Sequence, residues 1–271
     1  MIQNDHAFGS VAISQQCERE EDEADSLFGS DHDDELPLKD DTQRPLSLQH
    51  QAATSITPPI PGLYVFPKLL PQDTASKLMQ EIAKSDIFCA GERNQAMLFT
   101  SADCTASSSL PPYLEDLTGT LESLIAPYLP ASTTGLLFHP RPETATSRQI
   151  ILNLYKPGEG ITPHIDLPGR YADGIIGVCL GSGCVMDFED REEAETEEGE
   201  RHKGPRKYSV YMPARTVYCL TDEARWSWAH GIPSRDRDVV MDADGKVATI
   251  LRDVRISVTL RWMKPGAEVL R

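Results

Sequence analysis

The sequence predicts a mainly β fold of the α+β class. A β-sandwich or barrel occupies residues 149–271, and helices in residues 59–148 pack on its sheet. Two observations predict it. In the first part, apolar residues recur at helical spacing: Leu78, Met79 and Ile82 on one face, then Leu114, Leu117, Leu121, Leu124 and Ile125 on another. From Gln149 the period falls to two, and eight short strand-like runs follow between turn residues, as in an all-β sandwich or barrel.

In order, Pro58-Pro59-Ile60-Pro61-Gly62 marks the entry to folded structure, and Leu63–Phe66 reads as a short strand. Pro71 suits a helix start, so a helix runs from there to about Ala83. Arg93-Asn94-Gln95 reads as a loop leading into a strand at Ala96–Phe99. A second helix runs from Pro111 to about Ala126, where Pro127 and Pro130 end it. The period-two runs are Gln149–Tyr155, Pro163–Leu167, Ile175–Leu180, Cys184–Phe188, Lys207–Met212, Thr216–Leu220, Trp226–Gly231 and Arg255–Met263. Glu189–Pro205 and Ser234–Leu251 read as charged insertions between strands.

The chain has 271 residues and a net charge of −16, unevenly spread. Residues 1–58 hold 13 acidic against 3 basic residues, and Glu189–Glu200 holds 8 against 1. The remainder is nearly neutral, so the acidic total neither favours nor excludes nucleic acid. Residues 1–58 have too little apolar surface to offset ordering entropy and read as a disordered acidic tail. No basic start precedes an apolar run and no 18-residue apolar stretch occurs, so neither a secretory leader nor a membrane span is expected. The six cysteines lack C-x-x-C spacing, which argues for reduced, buried thiols in the cytoplasm or nucleus. A monomer is expected.

The chemistry concentrates in Asn153-Leu154-Tyr155 and His164-Ile165-Asp166, joined by the turn Lys156–Gly160. Residues two apart in a strand share a face, so Asn153 and Tyr155 point together, as do His164 and Asp166. A third ligand comes from His230, in Trp226-Ser227-Trp228-Ala229-His230-Gly231. Two imidazoles and a carboxylate with open positions make the facial triad of non-haem iron(II) oxygenases, with zinc as the rival metal. In the last strand Arg255, Ser257, Thr259 and Arg261 share one face and Ile256, Val258, Leu260 and Trp262 the other. Arginines facing a barrel interior call for an anion, and a guanidinium fork matches a carboxylate.

Together, Asn-x-Tyr, His-x-Asp, a distant His and Arg-x5-Arg resemble the AlkB-like iron(II)/2-oxoglutarate-dependent dioxygenases, over about Pro59 to Lys264. The resemblance implies a double-stranded β-helix (jelly roll) at 149–271, with residues 59–148 as an extension on the substrate side. It implies that His164, Asp166 and His230 bind iron(II) and form the catalytic centre. It implies that Asn153, Tyr155, Arg255 and Arg261 bind 2-oxoglutarate, with Ser257 where some members have Asn. Arg255 and Arg261 stand roughly 20 Å apart on an ideal strand. Arg255 is therefore expected to grip the distal carboxylate with Tyr155, and Arg261 to lie on the iron side, near the C1 carboxylate or Asp166. The implied reaction consumes O₂ and 2-oxoglutarate, releases succinate and CO₂, and hydroxylates or N-demethylates a substrate.

For the substrate, Pro168 stands where some DNA- and RNA-repair members carry an acidic residue. Leu180-Gly181-Ser182, Val185–Phe188 and Trp228-x-His230-Gly231-Ile232 are similar to the branch acting on the tRNA wobble uridine. The expected partner is nucleic acid, RNA before DNA, with Arg93, Asn94 and Gln95 in a substrate-facing loop. Arg170 and Tyr171 would stack a base or grip phosphate. The alternative is methylated protein, such as a histone side chain, drawn by the acidic insertion. A non-catalytic binding module comes last.

Overall fold

In the computed structural model, residues 52–100, 110–191 and 206–267 are described. The readings of residues 1–51 and of most of the acidic insertion, 192–205, lie outside them. The chain opens with β1 (Leu63–Phe66) and α1 (Gln72–Lys84), which starts directly after Pro71 and buries Leu78 and Ile82. β2 (Gln95–Phe99) follows, then α2 (Pro112–Ile125), with Pro at its first position and Leu114, Leu117, Leu121 and Ile125 buried. A third helix, α3 (Ala131–Phe138), lies where no helix was expected. Its Thr133-Thr134-Gly135 centre is helix-poor, and burial of Leu137 and Phe138 outweighs that.

The β region comprises β3 (Arg148–Tyr155), β4 (Ile161–His164), β5 (Tyr171–Gly181), β6 (Cys184–Asp190), β7 (Lys207–Met212) and β8 (Val217–Leu220). Then come α4 (Asp222–Trp226), β9 (Trp228–Ile232), β10 (Arg237–Met241), β11 (Val247–Leu251) and β12 (Arg255–Met263). The major sheet has the order β1-β8-β5-β12-β3-β2 and the minor sheet β4-β9-β6-β7, with antiparallel pairing throughout. Removing β1 and β2 leaves two four-stranded sheets between which the chain alternates, which is the double-stranded β-helix.

Alternation along β12 sorts two cores. Ile256, Val258 and Leu260 face α1, α2 and α3 together with Ile150, Leu152 and Val178. The opposite face turns toward the minor sheet, where Cys179, Met186, Phe188, Met212 and Trp228 pack. This second face carries Arg255, Ser257, Thr259 and Arg261 and holds the candidate site.

Three expectations need correction. The run 226–231 is not one strand: Trp226 ends α4, and the strand begins at Trp228. The charged insertion 234–251 does not merely link strands but forms two of its own, the hairpin β10–β11, closed over Asp244-Gly245. Residues 52–58 do not belong to an unfolded tail. The Ala53 amide donates to Val239 O at 3.0 Å, and its carbonyl accepts from Met241 N at 2.8 Å. The Thr54 carbonyl accepts from Tyr211 N at 2.8 Å. This short segment thus joins the hairpin to the edge of the minor sheet. Among the described residues no helix is long and apolar enough to cross a membrane.

Candidate metal centre and co-substrate pocket

β4 and β9 pair antiparallel with His164 opposite His230, so two imidazoles meet across one ladder. Gly231 permits the approach: a Cβ there would lie 2.7 Å from Pro163 N. Asp166 lies just beyond β4, outside any ladder, and side chains hold it. Arg261 Nη1 donates to its Oδ1, while Oδ2 stands 3.7 Å from His230 Nε2. One ligand atom from each of His164, Asp166 and His230 falls within 4.8 Å of the others.

The protonation states suit a cation. Burial raises the Asp166 carboxyl, but Arg261, His230, His164 and Arg225 outweigh it and hold the group at about 2. Burial, then the nearby His164 ring, lowers His230 to about 4, so its imidazole is neutral at neutral pH. His164 Nδ1 donates to Thr162 O at 2.9 Å, which leaves the Nε2 lone pair for a metal. Two imidazoles and one carboxylate on one side of a cleft fit a divalent metal with positions left open.

Sequence reasoning missed two groups that build this site. Arg225, 2% exposed, donates to the Asp166, Tyr171 and Ala172 carbonyls at 2.9, 3.2 and 3.3 Å and pins the loop that carries Asp166. Gln149 Oε1 accepts from Arg261 Nε at 2.6 Å. Neither belongs to a spaced motif; the period-two placement of Gln149 on the inner face of β3 was the one available signal.

Arg261 resolves to the Asp166 side of the expected alternatives, and its Nη2 donates to Tyr171 Oη at 2.9 Å. Tyr171 is therefore not a base-stacking surface. It is wholly buried at the start of β5, its ring under the Arg261 guanidinium at 3.6 Å. Arg170 is half-buried, its guanidinium 5.9 Å from that ring. Arg93 and Asn94 are exposed ahead of β2, and the Asn94 carbonyl accepts from Leu154 N at 2.7 Å. Gln95 is half-buried and donates to Asn153 Oδ1 at 2.8 Å. It thus joins the expected co-substrate residues rather than a free loop.

At the other end of the same face, Arg255 stands opposite Tyr155 on β3 and Gly181 on β5. Its guanidinium lies 3.9 Å from the centre of the Tyr155 ring. Burial pushes the Tyr155 hydroxyl up, against Arg255 and a Ser257 hydrogen bond, so it remains a protonated donor. Arg255 is 4% exposed, and its Nη2 is buried without a hydrogen-bond partner. Its electrostatic neighbours are Cys184, Tyr155, Cys179 and Tyr218, and burial keeps the Cys179 thiol neutral, pushed up to about 12. A buried cation with no anion beside it among the described residues is costly. An orphaned guanidinium nitrogen next to a phenol, a serine and Asn153 fits a ligand carboxylate.

The comparisons agree with this geometry. Residues 62–261 match the 2OG-Fe(II) oxygenase superfamily, oxidoreductases that use iron(II), 2-oxoglutarate and O₂. The uncharacterized protein L905 of Acanthamoeba polyphaga mimivirus is 42% identical over 113 residues, 42% of this chain and 47% of that protein. The tRNA (carboxymethyluridine(34)-5-O)-methyltransferase alkbh8 of Xenopus tropicalis is 34% identical over 103 residues, 38% of this chain and 14% of that one. The Alkylated DNA repair protein ALKBH8 homolog of Arabidopsis thaliana is 27% identical over 208 residues, 72% of this chain and 59% of that one. The chain thus spans less than two thirds of the length of each of these relatives. By its match over most of its length, the chain belongs to the 2OG-Fe(II) oxygenase superfamily and is AlkB-like within it.

Proposed function

We propose that this chain is an iron(II)/2-oxoglutarate-dependent dioxygenase that hydroxylates or N-demethylates nucleic acid, RNA such as tRNA before DNA. One observation carries the reading: a buried Arg255 guanidinium whose Nη2 has no hydrogen-bond partner, on the inner face of the major sheet that also carries Arg261, which holds Asp166 of the convergent His164, Asp166 and His230. When bound, iron(II) with 2-oxoglutarate and O₂ supplies the oxidation of a substrate C–H bond, releasing succinate and CO₂. His164, Asp166 and His230 hold the metal. Arg261 and Arg225 fix the Asp166 carboxylate and its backbone, so the ligand set is preorganised. Arg255, with Tyr155, Ser257 and Asn153, binds the dicarboxylate and keeps that end of the barrel dry. The nucleic-acid assignment draws on relatives described as a tRNA methyltransferase and an alkylated-DNA repair protein.

A second reading, a methylated basic protein, is favoured by one contact. Arg191, where the acidic run enters the fold, donates from Nη2 to Pro163 O at 3.5 Å, one residue from His164. The test is succinate formation by the purified chain with iron(II), 2-oxoglutarate and either methylated oligonucleotides or methyl-lysine peptides. Stimulation by oligonucleotides alone supports the first reading, by peptides alone the second. Absence of 2-oxoglutarate turnover in every mixture overturns both.

A further inference from the structure

Three polar side chains form one row across the major sheet. Gln95 on β2 stands opposite Asn153 on β3, and Asn153 opposite Ser257 on β12. Asn153 is 6% exposed, and its Oδ1 accepts from Gln95 Nε2 at 2.8 Å. A carboxamide offers one acceptor oxygen and two N–H donors, and its partners decide which end points where. Gln95 takes the oxygen. The N–H donors are left over, with Ser257 the register neighbour on the side away from Gln95, and among the described residues nothing accepts from them. Released from Gln95, the amide could turn its oxygen toward that side, where it would oppose a carboxylate.

We propose that Gln95 is a positioning residue for the co-substrate. By donating to Asn153 it keeps that amide turned donor-first toward 2-oxoglutarate, so edge strand β2 sets how tightly the dicarboxylate is held. The inference rests on reading Asn153 as a 2-oxoglutarate ligand. β2 is well placed for the role: it starts at the exposed Arg93-Asn94, and Asn94 is bonded to β3 through Leu154 N. An occupant pressing on that loop would then be felt at the co-substrate.

The test is the dissociation constant of 2-oxoglutarate, measured calorimetrically on the full chain loaded with manganese(II). Four proteins are compared: wild type, Gln95→Met, Asn153→Ala and the double variant. Gln95→Met keeps the side chain's length and removes its donor. It should weaken binding about five- to tenfold, the worth of one neutral hydrogen bond. The double variant should bind no more weakly than Asn153→Ala alone, because the effect runs through Asn153. Gln95→Met binding within twofold of wild type, while Asn153→Ala binds weakly, overturns the inference and spares the ligand reading. Further weakening by Gln95→Met in the Asn153→Ala background also overturns it. Wild-type affinity in Asn153→Ala removes the ligand reading itself, and the inference with it.

Discussion

His164 and His230 stand opposite each other across the β4–β9 ladder, their ring centroids 4.6 Å apart. Backbone pairing therefore sets the distance between two of the three candidate ligands, and Asp166 is brought in by Arg261 and Arg225. His230→Ala should abolish 2-oxoglutarate turnover and lower metal affinity while the melting transition remains cooperative. Metal titration of the purified variant checks this. Full activity would take His230 out of the metal shell.

Gly231→Ala tests the ladder itself. A methyl there would meet Pro163 N, Pro163 Cα and Ile161 O at 2.7, 2.8 and 2.9 Å, all backbone atoms that cannot swing away. β4 must shift, and His164 with it. Metal affinity should fall by about ten- to a hundredfold, the scale seen when support around a metal ligand is lost. Unchanged affinity would mean that β4 tolerates the displacement.

Arg255→Met should separate stability from binding. Replacing a buried charge that faces no anion among the described residues by an apolar side chain removes a desolvation cost. The ligand-free variant should melt higher than the wild type. Added 2-oxoglutarate should raise the wild-type melting temperature and leave the variant's unchanged. A lower melting temperature without ligand would show that the cation is already compensated.

Asp238 predicts acid sensitivity of the β10–β11 hairpin. Its carboxylate accepts from Arg252 Nε and Nη2 at 2.7 and 2.8 Å, from Arg235 Nε at 2.7 Å and from Val185 N at 3.0 Å. Burial raises its pKa, but Arg252 and Arg235 outweigh this and depress it. A depressed carboxylate stabilises the fold fully above its unfolded value of about 3.9 and loses that contribution as pH falls through the folded value. Asp238→Asn should cost about 3–5 kcal/mol at neutral pH. Denaturant titrations should show that gap closing below about pH 4.

Strict alternation made β3 and β12 readable, because each buries apolar residues on the helix side and polar ones on the other. The same alternation exposed the motifs at 153–155 and 255–261, whereas 164–166 was legible only as His-x-Asp, because the strand ends at His164 and Asp166 lies in the loop beyond it. The hairpin was hidden by the charges around it, although Asp244-Gly245 between Val239–Met241 and Val247–Leu251 is a usable turn signal. Tyr171 misled because Arg-Tyr in a loop suggests an open stacking surface, and only tertiary contact shows the ring sealed under Arg261. Arg225 was out of reach for a related reason: its partners are three backbone carbonyls at least 53 residues away in sequence.

The seam formed by Ala53 and Thr54 has a practical consequence for any shortened version of the protein. A chain begun at Pro59, where the sequence suggests that folding starts, would lose a stretch wedged between β7 and β10 and bare the facing amides and carbonyls of Val239, Met241 and Tyr211. Trimming that keeps residue 52 onward preserves this closure. Trimming past it should loosen the hairpin, which faster protease cleavage within 237–251 would reveal.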